Sequence, residues 1–310
     1  MANQFTKYTG NITGQAGSLI TALDAALVTG QGWTKTAGTN EAAYRAPSGN
    51  RLYLYVNDTA VVTAKEARIT GYETVASVGP ISGTNPFPTA AQNPAGNGVA
   101  CMVARKSVSA DSTARAYQIY ADTRTVYMFI QAADSAGYYE SWMFGEIYSL
   151  VGGDAWNTMI IGRSLENSTN INAEYLDVLQ ATGVTATTAN HYLARAYNAL
   201  PTANGSLVVG VHGDGIKSNL SVLGLMGSVP FPNPPDGGLY VSPIWTNEAS
   251  GVLRGRMRGF WQVLHPPASF SDGDTFTGTG DLAAKTFAII KYSARGGCFC
   301  METSASLETN

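Results

Sequence analysis

The sequence predicts a mainly β protein: antiparallel sheets of the sandwich or meander type, one short N-terminal helix and long Pro/Gly loops. Three observations carry this reading. Short apolar runs with period-two alternation recur from Trp33 to the C-terminal region, bounded by Gly, Pro, Asn or Asp. Glycine, at 34 of 310 residues, supplies the turns such a chain needs. Convincing helical spacing occurs in one early segment.

Residues 1–14 are polar and rich in Gly, Thr and Asn, an arm that is flexible unless something holds it. From Gly17 to Val28 the chain reads as the helix. Ser18 is placed to cap it, Leu19, Leu23 and Ala26/Leu27 share a face, and Gly30-Gln31-Gly32 ends it. Glu41–Ala46 and Arg51–Asn57 form a hairpin about Pro47-Ser48-Gly49-Asn50, with Leu52, Leu54 and Val56 facing one way and Tyr53 and Tyr55 the other. Residues 67–75 read as a strand or a helical turn, and the proline-punctuated 79–98 as loop. Asn85-Pro86-Phe87-Pro88 echoes Val229-Pro230-Phe231-Pro232.

Strands follow at 98–105, 116–122, 126–132, 139–151 and 157–163, so that 98–163 looks like a self-contained meander with a tight turn at Asp122-Thr123-Arg124-Thr125. Residues 164–190 are polar and poorly periodic, an exposed loop at their start. The apolar runs His191–Leu200 and Ser206–Val211 come next, and the tail adds strands at 285–292 and 298–302. This divides the chain into an arm and helix (1–32), a first β region (33–163) and a second (164–310) packed on it, or one compact domain.

The stretch around which the rest is organised is 228–261. A proline-stiffened loop holding Phe231, Pro234 and Pro235 turns through Asp236-Gly237-Gly238 into a strand ending at Trp245. A second strand runs from Leu253 to Trp261. In it Arg254, Arg256 and Arg258 alternate with other residues, and period-two spacing puts three guanidiniums on one face. We take Arg254, Arg256, Arg258, Phe231, Pro234, Pro235, Trp245 and Trp261 as the candidate protein–protein interface, against the bland alternative of a charged edge strand that blocks aggregation.

Composition points the same way. Charged residues make up 13% of the chain, about half the usual share. A chain so poor in charge is expected to have much of its surface covered by neighbours. A net charge of −3 gives no reason to expect nucleic acid or an anionic membrane as partner. No apolar run approaches the ~20 residues of a membrane helix, and the N-terminus lacks the pattern of a signal peptide. Cys101, Cys298 and Cys300 read as reduced thiols.

Catalytic and ligand patterns are weak. His212 and Asp214 lack further metal ligands at suitable spacing, and His191 and His265 stand apart. Ser271-Asp272-Gly273-Asp274 departs from a calcium loop and reads as Asx turns. No nucleophile elbow occurs, and Glu140, Glu146 and Asp154 would pair only through tertiary contacts. The expectation is no enzyme activity, no cofactor and no metal. The aromatic segment Tyr138, Tyr139, Trp142, Phe144, Tyr148 reads as core and interface, with a sugar-stacking platform on Trp142 and Glu140 as the alternative.

Several segments resemble, in the same order along most of the chain, a virion structural protein family of tailed bacteriophages. They are ITGQAGSLITALDAALVTGQGWTK, NEAAYRAPSGNRLYLYVND, ARITGYETV, GEIYSLVGGDAWNTMIIGR, SVPFPNPPDGGLYVSPIW, LRGRMRGFWQVLHPP and GDTFTGTGDLAAKTFAIIK. The resemblance brings no catalytic motif with it. It implies a non-enzymatic particle component made in the host cytoplasm and residing in the virion, with copies of itself and other virion proteins as partners. A tail-tip, baseplate or neck position is expected first and a capsid decoration or cement protein second. From other classes, a host-glycan-binding module or a glycan-cleaving enzyme is the rival.

Overall fold

The apolar runs of residues 126–130 and 159–161 are too continuous for a sheet with one wet face, and the fold explains them: the sheet they form is covered on both sides. In the computed structural model, described for residues 4–61, 63–93, 95–133, 139–163, 165–167, 189–208, 239–248, 252–263, 270–291 and 299–304, nineteen strands pair antiparallel.

Strand β1 (Thr6–Ile12) takes the N-terminal arm into the sheet along Arg115–Ala121, which is β8. Helix α1 (Ser18–Leu23) continues as a wider π turn, Asp24–Gly30. Its cap differs from expectation. Gly17 takes the N-cap position with φ 81°, and Ser18 Oγ instead donates to the Thr13 and Gln15 carbonyls. The Leu19 amide donates to Asp58 Oδ2 at 2.9 Å, so the capping carboxylate comes from 39 residues away. Asp58 is in turn paired with Lys106, and both side chains are wholly buried. Burial pushes the Asp58 carboxyl up despite the ammonium beside it, and pushes the Lys106 ammonium down.

Strands β2 (Thr34–Gly38), β3 (Glu41–Arg45), β4 (Tyr53–Asn57) and β5 (Glu66–Ser77) form a meander. This settles 67–75 as strand. The hairpin falls where its sequence predicts one, with Tyr44 opposite Leu54 and with Leu52, Leu54 and Val56 buried. The far half of β5 pairs with β6 (Ser82–Phe87), a strand inside the region read as loop. Pro86 sits in it opposite Tyr72 and Asn85 has φ 50°, features that hid the strand from a propensity reading. The near half pairs with β7 (Met102–Arg105), which bonds onward to Arg163. The 98–163 region is therefore not self-contained, since its first strand belongs with β5.

Strands β8, β9 (Thr125–Gln131), β10 (Tyr139–Glu146) and β12 (Thr158–Arg163) are the expected meander, with the two-residue β11 (Tyr148–Ser149) between the last two. Beyond it lie β13 (Ala189–Arg195), β14 (Pro201–Val208), β15 (Val241–Glu248) and β16 (Leu253–Val263). Pairing passes from β12 through these in turn, and β16 bonds back to β11 through Tyr148 opposite Arg256. The sheet thus curls on itself as a half-barrel. β19 (Phe299–Glu302), β18 (Thr286–Ile290) and β17 (Thr275–Thr277) extend from the β16 edge.

Alternation along the central strands sorts side chains into two cores. Val126, Met128, Ile130, Trp142, Phe144 and Ile160 face the helix and the β3–β5 layer, where Leu19, Leu23, Trp33 and Leu54 meet them. Tyr127, Phe129, Met143, Met159, Ile161 and Leu193 face into the curl against Phe260, Phe299 and Met301. Strand hydrogen bonds run directly across the 163/164 boundary, with Ile161 opposite His191.

Candidate interaction surface

The arginine strand is built by its glycines. A Cβ on Gly255 would stand 2.1 Å from the Tyr148 carbonyl oxygen, so glycine lets β11 lie against β16. Gly259 has φ +59°, and a Cβ there would meet the Phe5 ring at 2.5 Å. These close approaches, with register shifts near Ile244 and between Thr246 and Asn247, break the regular alternation expected from the spacing.

As a result the three arginines go to three environments, and two of them leave the candidate interface. Arg254 is fully buried. Its Nε and Nη2 donate to the two Asp154 oxygens at 2.7 Å each, and Nη1 donates to the Arg195 carbonyl at 3.0 Å and to Glu248. Arg258 is buried beside Asp122, Nη2 to Oδ2 at 2.6 Å, with its guanidinium 5.0 Å from the Tyr148 ring centre. Asp122 also accepts the Arg124 and Thr125 amides at 2.7 Å, so one carboxylate shapes the β8–β9 turn and neutralises Arg258. A guanidinium buried beside carboxylates of its own chain presents no donor face to a neighbour. Arg256 stays half-buried, stacked between Tyr148 (5.1 Å) and Trp261 (5.7 Å) and opposite the half-buried Trp245 across the sheet. Trp261 is itself buried, in a small cluster with Phe287 and Ile289. Phe231, Pro234 and Pro235 lie outside the described residues.

The Arg254 knot organises an apolar rim. The Leu150 amide donates to the Arg254 carbonyl at 2.8 Å, and the Tyr197 amide to Glu248 Oε1 at 2.8 Å. The Ala196 amide closes the adjoining turn on the Leu200 carbonyl. Leu150 (60% exposed), Leu200 (61%), Tyr197 (51%) and Leu253 (46%) thus stand in water on backbone fixed by buried charge. These four make this end of β16 the candidate interaction surface among the described residues. Sequence reasoning passed over these four residues, whose signal is slight: leucines and a tyrosine inside turn-forming stretches, SLVGG and YNAL.

Elsewhere charge is also drawn inward. Glu66 pairs with Arg105 and Glu140 with Arg163, each at 2.8 Å. Among the described residues thirteen charged side chains are buried. Such residues are rarely fully buried unless paired.

The glycan alternative loses the pairing that carried it. Trp142 is 1% exposed and packs in the helix-side core, and Glu140 is 2% exposed. Glu146 is buried, accepting from the Asn50 amide and near Arg124, and burial pushes its carboxyl up. Glu140, Glu146 and Asp154 thus each answer a different basic partner. Asp272 accepts from Gln118 and the Lys291 amide, and Asp274 from the Ser271 amide, as turn-closing groups do. Among the described residues no three His, Cys, Asp or Glu side chains gather as a metal site, and no helix is long and apolar enough to cross a membrane. His191 is buried in β13, while His212 and His265 lie outside the described residues. No family model matches the chain, and no curated protein matches it.

Proposed function

We propose that this chain is a non-enzymatic structural component of a tailed-bacteriophage particle, built into the tail at its tip, baseplate or neck through protein–protein contacts. The observation that carries the reading is the division of charge. Among the described residues buried ion pairs hold the interior, the exposed charged residues are Arg51, Asp272, Asp274 and Asp281, and Leu150, Tyr197, Leu200 and Leu253 stand exposed. A surface of this kind suits permanent contact with neighbours better than free life in solution. The resemblance of the segments quoted above suggests the particle, and a large multi-sheet body with the stiff presented loop that the sequence predicts suits a ring or adaptor in the tail better than a minimal shell clamp.

Quantitative mass spectrometry of purified particles tests this. A few to a few dozen copies per virion is the expected result. Hundreds of copies would move the chain to the shell as a decoration protein, and absence from particles would overturn the proposal. A second check uses Leu150→Asp with Leu253→Asp, which leaves thermal unfolding of the isolated chain within about 0.5 kcal/mol because both sites are exposed. Incorporation into particles is expected to fall sharply.

A further inference from the structure

Five strands pair on one side alone among the described residues: β1, β2, β6, β11 and β17. An open edge is a template for another strand, and proteins blunt it with prolines, short length, twist, outward charge or a covering element. Four of the five are blunted. β6 contains Pro86 and the left-handed Asn85, β11 has two residues and β17 three. β1 packs against helix α1, and its Tyr8 hydroxyl is engaged by Gln31.

β2 has none of these defences. Its five residues, Thr34-Lys35-Thr36-Ala37-Gly38, pair with β3 in unbroken register and contain no proline. Thr34, Thr36, Ala37 and Gly38 are exposed. The single charge is turned back on its own chain: Lys35 Nζ lies 2.6 Å from Asp24 Oδ2 and 6.0 Å from the Tyr44 ring centre.

We propose that β2 is a self-association edge, which pairs antiparallel with β2 of a second copy about a two-fold axis through Thr36. This names one surface and partner for the assembly reading above, and rests on that reading in taking a copy of the chain as the neighbour. The sequence of the strand is self-complementary in this register. Thr36 meets Thr36, Thr34 meets Gly38, and Lys35 meets Ala37, so no like charges oppose and a threonine pair sits at the centre. A two-fold contact of this kind is closed, joining two sheets into one without starting a fibre. Five residues form a small interface, so the isolated dimer is weak and becomes firm where neighbours hold the copies side by side.

The register gives a test with opposite signs at one exposed site. Ala37→Lys sets a second lysine against Lys35 of the other copy, twice per dimer by symmetry, and Ala37→Glu sets a carboxylate there. In sedimentation velocity at high micromolar concentration and low salt, the wild-type chain is expected to show a monomer–dimer equilibrium. A37K raises its dissociation constant about tenfold and A37E lowers it by a similar factor. Amides within residues 34–38 of the wild-type chain gain hydrogen-exchange protection as concentration rises. A chain that stays monomeric, or an oligomer that ignores both substitutions and leaves these amides unprotected, overturns the edge proposal. Particle copy number is unaffected by that result, so the two proposals fail separately.

Discussion

Gly259 shows how one residue ties distant parts together. Its φ of +59° and its contact with Phe5 mean that alanine there is strained twice over. Gly259→Ala is expected to cost about 1–3 kcal/mol and to loosen the N-terminal strand. Denaturant titration reads the first effect, and limited proteolysis within residues 4–12 reads the second. Glu146 makes a pH prediction. Its ordinary value is 4.5, and burial, opposed by the Asn50 amide and Arg124, raises it in the fold. A carboxyl with a raised folded pKa binds its proton more tightly folded than unfolded. Its contribution is therefore fully present below pH 4.5 and is lost as pH rises through the folded value. Glu146→Gln removes that slope. Unfolding free energies measured from pH 4 to 7 are expected to fall less steeply in the variant, and an unchanged slope would refute the assignment.

At the scale of elements, β16 carries the three arginines of the 228–261 stretch. The strand, its start at Leu253 and its three arginines are legible from alternation and flanking turns, while its end lies at Val263 rather than Trp261. Where each guanidinium goes is not. The answer lies with Asp154, Glu248 and Asp122, which are 100, 6 and 136 residues from their partners. Removing one member of a buried pair leaves the others uncompensated. Arg254→Ala is thus expected to cost about 3–5 kcal/mol and to release the rim around Leu150 and Tyr197. Arg256→Ala removes a half-exposed stacked side chain and should cost less than about 1 kcal/mol. Equal losses in the two variants, measured by chemical denaturation, would show that the knot does not hold the rim.

Across the whole molecule, the curl of the sheet produces a body whose middle layer is covered on both faces. The layers bury not only leucines and phenylalanines but also ion pairs such as Lys106–Asp58 and Arg163–Glu140. Burying charge in this way leaves a surface that repels neighbours weakly. In solution such a chain is expected to associate more readily as salt rises, since apolar contact strengthens while the few surface charges are screened. Light scattering at low and high sulfate measures this. An oligomer that dissolves on adding salt would point to ionic contacts and against the apolar rim.

The sequence by itself determined the fold class, most of the strands, the existence of the 41–57 hairpin and the early α-helix, because each follows from local alternation, turn residues and 3.6-residue spacing. Tertiary structure alone decided the remainder. It set Asp58 rather than Ser18 on the helix end, hid Trp142 and Glu140, and found a strand across Pro86. It also took Arg254 and Arg258 from the presumed interface and put Leu150, Tyr197, Leu200 and Leu253 on the rim. The physical reason is common to all of these. Burial and ion pairing are properties of what stands opposite a side chain, and in a curled antiparallel sheet the opposite residue is often a hundred positions away.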